Sequence, residues 1–247
     1  TVFIYLLALR RPPSGRILLG FTLSMLAVGL PWFVLVWLAN GENFFLTFVV
    51  NHHIARFLTE IHHHAQPFWF YLPILVLGMF PWSFFLFPAG RDFLLRKRDP
   101  DDPEYRLRLF LWLWVLVPFL FFSLSSAKLP GYILPAIPAL ALLAALEWKR
   151  RIEQGDGRLS PALLAALVIV ALGLAVALPI ATGMEYSRPD IGLAGGIPLL
   201  SGVLLGSWWG RKKLGPSSFL AIAGGLIISM SALFAVGSPT LGRYHST

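Results

Sequence analysis

Cysteine is absent from this sequence, which removes disulfide frameworks and thiolate metal sites together. Any bound metal would have to be held by histidine, carboxylate or water. Charge is scarce too: Asp, Glu, Lys and Arg make up 13% of the residues, about half the usual share of a soluble domain. Neither GxxxxGK[ST] nor a GxGxxG after a strand occurs, so an ATP-driven motor or an enzyme of soluble nucleotide sugars has no support. No basic flank, short apolar core and small-residue cleavage site open the chain, so no secretory leader is read there. Thr1 already stands in an apolar run, and the sequence reads as a piece of a longer protein. Nor does any acid fall in the middle of an apolar segment. That lack weighs against an ion- or proton-coupled transporter, which needs an ionisable group near the bilayer midplane.

What fills the chain instead is apolar: 57% of residues are hydrophobic and the mean hydropathy is +0.72. Residues 1–9 read as the tail of a helix, closed by the basic turn RRPPSGR, whose prolines stop it. Apolar segments follow at 17–39, 68–89, 107–124, 131–147, 160–181, 191–209 and 217–237. Lengths near eighteen residues predict bilayer-spanning helices. The expected fold is therefore an all-α polytopic transmembrane helix bundle, seven complete spans plus the tail of one more. Segments 107–124 and 131–147 are short, and their join SLSSAKLPGY predicts a tight hairpin near the membrane interface. AGGIPLL and IAGGLII carry the small residues that let helices pack closely.

Alternating the spans across a membrane puts 16 of the 20 Lys and Arg residues on one side. The other side receives only Arg56, Lys128, Arg188 and Arg243. The positive-inside rule makes the crowded side cytoplasmic. The net charge of +8 is then a topology signal, and nucleic-acid binding is not expected. A mixed-sign stretch at 90–106 becomes a solvated cytoplasmic loop, and all six histidines lie outside.

Five of those histidines fall in one polar interruption, NHHIARFLTEIHHHAQPFWFYLP at 51–73, inside an expected extracytoplasmic loop at 40–67. In helical spacing His52 and His53 share a face with Arg56. His52 or His53 could ligate a divalent metal with a residue of 60–64, although no HExxH-type spacing is present. A histidine could equally be an acid–base or phosphate partner, or the stretch a plain polar loop. Phe68, Trp69, Phe70 and Tyr71 read as an interfacial aromatic belt. Arg56, Lys128 and Tyr132 are the residues of the cation-poor side suited to cradle a phosphate, since charge-assisted bonds from Arg are strong and oriented. The same side chains also suit headgroup anchoring by snorkelling.

Two stretches, 51–89 and FFSLSSAKLPGYILPAIPALALL at 121–143, give the sequence a family likeness. In order they carry histidine, ARF, QPFWFYLP, a PW helix and SAKLPGYILP, with RYHST closing the chain. This pattern resembles the dolichyl-phosphate-mannose-protein mannosyltransferase-like superfamily, and within it the bacterial lipid A aminoarabinose transferases. The resemblance implies a GT-C fold in the bacterial inner membrane, with its active site and the chain's C-terminus extracytoplasmic. It implies transfer of a sugar from a polyprenyl-phosphate carrier to an envelope acceptor such as lipid A, a protein or another glycan. Arg56 and Tyr132, with Lys128 beside them, match positions that contact carrier phosphate. His52 and His53 match a region where relatives place a polar, sometimes Zn- or Mg-associated, site. The family's catalytic carboxylates belong to a first extracytoplasmic loop that this sequence lacks. No acid here, Glu60 included, takes that role, so the piece alone is expected to be inactive. The competing expectation is an envelope-lipid transporter or flippase, which would share the topology and the cationic outer site.

Overall fold

The computed structural model describes residues 1–41, 44, 47–48, 66–125, 128–153, 160–211 and 215–244. All regular structure among them is helical. Among the described residues six helical segments are long and apolar enough to cross a membrane, or seven if one bent pair is counted as a span. The chain is a multi-pass membrane protein, and it divides into two compact units, Thr1–Ala144 and Ala145–Thr247.

In the first unit, α1 (Val2–Ala8) ends at the RRPP turn and α2 (Gly15–Asn40) starts behind Ser14. The Ser14 hydroxyl accepts from the Ile17 amide at 3.4 Å, an N-cap. No residue of α2 is buried. A helix apolar on every side suits hydrocarbon rather than water. The expected span at 68–89 is not one rod. It is α3 (Tyr71–Gly78) and α4 (Ser83–Leu95), bent by 113° across Met79–Trp82. Pro81 lacks the amide that would continue the ladder through this break.

Helix α4 runs to Leu95 and α5 (Pro103–Leu124) begins at Pro103, leaving only 96–102 between them. Asp102 caps α5 by accepting the Glu104 amide at 2.9 Å, with Pro103 in the first turn. Tyr105, Arg108, Leu111 and Val115 form its buried stripe at helical spacing. A 3-10 turn over Pro130–Ala136 then leads into α6 (Ile137–Glu153), within which the boundary between the units falls.

The second unit is built on small residues. Helix α7 (Pro161–Tyr186), α8 (Pro189–Gly210) and α9 (Pro216–Tyr244) pack with α8 against both others. Gly202 of α8 faces Gly225 of α9 so closely that a Cβ on either would stand 2.6 Å from the other's Cα. Gly196 of α8 leaves 2.8 Å from an added Cβ to the Ala175 Cα on α7. AGGIPLL and IAGGLII thus serve backbone-to-backbone packing, the contact that holds helices together where lipid removes the hydrophobic drive.

Candidate functional site

Of the residues singled out in sequence, His52, His53 and Arg56 lie outside the described residues. Lys128 and Tyr132 are described, and both belong to the segment that turns the chain from α5 into α6. Pro130 and the extended Leu129 stop the helix, and the Tyr132 amide donates to the Leu129 carbonyl at 3.1 Å to open the 3-10 turn. The KLPGY motif folds this way because Pro sets φ for the first helical position.

Lys128 is buried, 6% exposed, and its position is fixed. Its ammonium donates to the Ser125 carbonyl at 2.6 Å and to the Gln66 carbonyl at 2.9 Å. An ammonium has three donors, so one remains beyond these two. The Gln66 bond joins the end of the histidine-rich stretch to the KLPGY turn. Tyr132 packs its ring on Phe122 of α5, centroids 5.4 Å apart. Tyr71 of α3 meets the same Phe122 at 6.5 Å. Rings from three elements, α3, α5 and the 3-10 turn that follows Lys128, therefore converge at Phe122.

Tyr71 corrects the aromatic-belt expectation. Phe68 and Trp69 are 51% and 61% exposed, as a belt requires, but Tyr71 is fully buried. Its hydroxyl is buried without a hydrogen bond of good geometry. No periodicity marked Tyr71 apart from its three aromatic neighbours. Packing of α3 against Phe122 of α5 is what covers it.

Arg188, another cation of the sparse side, is committed elsewhere. It holds Asp190 through Nε at 2.8 Å and Nη2 at 2.7 Å. That carboxylate raises the pKa of the guanidinium above its ordinary value, chiefly through the hydrogen bond. Among the described residues no group of three His, Cys, Asp or Glu side chains could hold a metal ion. The His52 and His53 expectation lies outside the residues this concerns.

Comparison with known proteins places this geometry. No protein-family model matches the sequence. Its relatives include proteins described as undecaprenyl phosphate-alpha-4-amino-4-deoxy-L-arabinose arabinosyl transferase. That of Pectobacterium carotovorum is 31% identical over 240 residues, covering 87% of this chain and 40% of the relative. That of Pseudomonas paraeruginosa is 37% identical over 145 residues, covering 57% of this chain and 25% of the relative. The crystal structure of ArnT from Cupriavidus metallidurans bound to undecaprenyl phosphate superposes with a TM-score of 0.73 at 25% identity. It covers 98% of this chain and 44% of that one. The chain thus spans less than half the length of the curated relatives it matches. In sequence and in fold it is a homologue of these arabinosyl transferases and shares their polytopic, GT-C-type helical architecture.

Proposed function

We propose that this chain forms the carrier-binding part of an inner-membrane glycosyltransferase. The enzyme moves an aminoarabinose-type sugar from undecaprenyl phosphate to an envelope acceptor, lipid A foremost, on the extracytoplasmic face. The observation that carries the reading is the fold, shared over 98% of the chain with a transferase bound to undecaprenyl phosphate. The cation-poor ends of the spans, with Arg56, Lys128 and Tyr132, are then outside, as the 16-to-4 charge asymmetry supports.

The chemistry follows from the leaving group. In the donor, the carrier phosphate is a diester with one negative charge. Attack by an acceptor oxygen on the anomeric carbon breaks the bond from that carbon to the phosphate oxygen. Both electrons stay on the phosphate, which leaves as a monoester of higher charge. Donors aimed at that oxygen bind the transition state more tightly than the substrate, which is where rate is gained. Arg56 supplies a fixed charge, Tyr132 a phenolic O–H, and the third Lys128 donor a further N–H. Lys128 also holds the Gln66 end of the loop against the turn that carries Tyr132. The acceptor proton goes to a carboxylate, which is proposed to come from the rest of the full-length protein.

The test uses the full-length protein in membranes, supplied with undecaprenyl-phosphate-linked aminoarabinose and lipid A. Arg56→Ala is expected to cut transfer by roughly 10²–10³-fold, the usual cost of losing one such donor, with insertion unchanged. Full transfer by Arg56→Ala would remove the phosphate role. Movement of the lipid across the membrane without sugar transfer would replace the enzyme reading by a transporter.

A further inference from the structure

The first unit has a cleft of about 600 Å³ at the opposite end of α5, lined by Ala8, Arg10, Phe93, Arg98, Tyr105 and Leu109 among others. Tyr105 and Ser125 are twenty residues apart along and just beyond α5. By helical rise the cleft therefore lies about 30 Å from the KLPGY turn, so it is a separate place. Its volume is that of a small-molecule site.

Charge in and around this cleft is sorted. Arg11 pairs with Asp101 at 2.7 Å, and Arg96 pairs with Asp102 and Glu104 at 3.0 Å each. The hydrogen bond to Glu104 raises the Arg96 pKa above its ordinary value. Asp101, Asp102 and Glu104 are thus matched to cations outside the lining, and Asp99 accepts the Asp101 amide at 2.9 Å. Arg10 and Arg98, which do line the cleft, have no carboxylate partner among the described residues. Phe93 and Tyr105 stack at 5.7 Å to form an aromatic wall beneath them.

The backbone at Arg10 gives a second, independent indication. Its amide donates to the Leu7 carbonyl and the Arg11 amide to the Leu6 carbonyl, each at 2.9 Å. That pair of bonds is a Schellman motif, in which the residue after the C-cap is left-handed and usually glycine. Arg10 occupies it with φ +57°. A long charged side chain at a glycine position costs local stability, and such costs concentrate where the side chain has work to do.

We propose that this cleft binds a phosphate group, with Arg10 and Arg98 as its ligands and Phe93, Tyr105 and Leu109 packing the organic part. Arg recognises phosphate through charge-assisted, fork-shaped hydrogen bonding. The shared chemistry is a phosphate group whose negative charge is not neutralised by an attached cation, supplied either by the headgroup of an anionic phospholipid or by a soluble phosphate.

The experiment uses the full-length protein in detergent, in an Arg56→Ala background so that the carrier site does not contribute. Binding of short-chain phosphatidic acid, phosphatidylcholine and inorganic phosphate is measured by calorimetry. Phosphatidic acid is expected to bind, and Arg98→Gln to weaken it roughly tenfold, the scale of one charged hydrogen bond. Arg10→Gly is the more telling variant. It should weaken binding by a similar factor while raising the melting temperature, because glycine suits the left-handed position. Binding of phosphatidic acid but not inorganic phosphate assigns the site to a lipid headgroup. Comparable binding of both assigns it to free phosphate. Affinity for every ligand unchanged in Arg10→Gly and Arg98→Gln, or equal preference for phosphatidylcholine, overturns the proposal.

Discussion

The Lys128 ammonium donates to the Gln66 carbonyl at 2.9 Å, across 62 residues of sequence. With the Ser125 carbonyl at 2.6 Å on the same nitrogen, one buried side chain ties the turn after α5 to the loop before α3. A lysine read from sequence as a phosphate ligand or a snorkelling anchor thus acts first as an internal staple.

Lys128→Met keeps the length of the side chain and removes both bonds. The buried Ser125 carbonyl then loses this donor, at about 1–3 kcal/mol, and the half-buried bond to Gln66 is lost with it. Thermal unfolding in detergent should show a lower melting temperature than the parent. An unchanged melting temperature with reduced sugar transfer would instead give Lys128 a purely chemical role.

Tyr132→Phe separates hydroxyl from ring. Packing on Phe122 at 5.4 Å survives the change, so stability should hold. Sugar transfer by the full-length enzyme should fall by about 10²-fold, as for other lost transition-state donors. A variant with full activity leaves Tyr132 as a packing residue only.

Gly202→Ala in α8 places a methyl 2.6 Å from the Gly225 Cα and 2.7 Å from the Ala221 carbonyl oxygen. Backbone cannot swing aside as a side chain can, and overpacking of this kind costs about 1–3 kcal/mol. Gly224→Ala, with nothing within 4 Å of its added Cβ, is the control. It should be neutral or stabilising, since alanine favours helix by about 0.5–1 kcal/mol. Melting curves of the two variants should move in opposite directions.

Glu147→Ala probes a buried acid in α6. Glu147 has no exposed side-chain surface, and it accepts from Arg150 at 3.1 Å and Arg151 at 2.8 Å. Removing it should destabilise by less than the roughly 3–5 kcal/mol typical of a broken buried pair. Arg150 and Arg151 keep 26% and 22% side-chain exposure and can take up water. Denaturant or heat titration reads the difference directly.

Much of the architecture was visible in the one-dimensional pattern because a bilayer leaves few choices. An apolar run near eighteen residues must be a helix, since hydrocarbon satisfies no backbone group. AGGIPLL and IAGGLII announced close packing, and Gly202 against Gly225 and Gly196 against Ala175 deliver it. The run at 68–89 misled for the same reason. Hydropathy reports that a stretch avoids water and is silent on how far it bends; Pro81 marked a kink, and the size of the 113° break between α3 and α4 came only from the packing. Tyr71 is buried against Phe122 of α5, whereas Phe68 and Trp69 stay exposed.

By itself the sequence determined the class of molecule, the spans and the residue types at the candidate site, because hydropathy and charge asymmetry act through composition alone. Only the tertiary structure decided what those residues touch. Lys128 meets Gln66, Tyr71 and Tyr132 meet one phenylalanine, and Arg10 and Arg98 line a cleft whose lining holds no acid. Each of these contacts joins segments distant in the chain, and the distance between such segments is set by helix packing rather than by spacing in sequence.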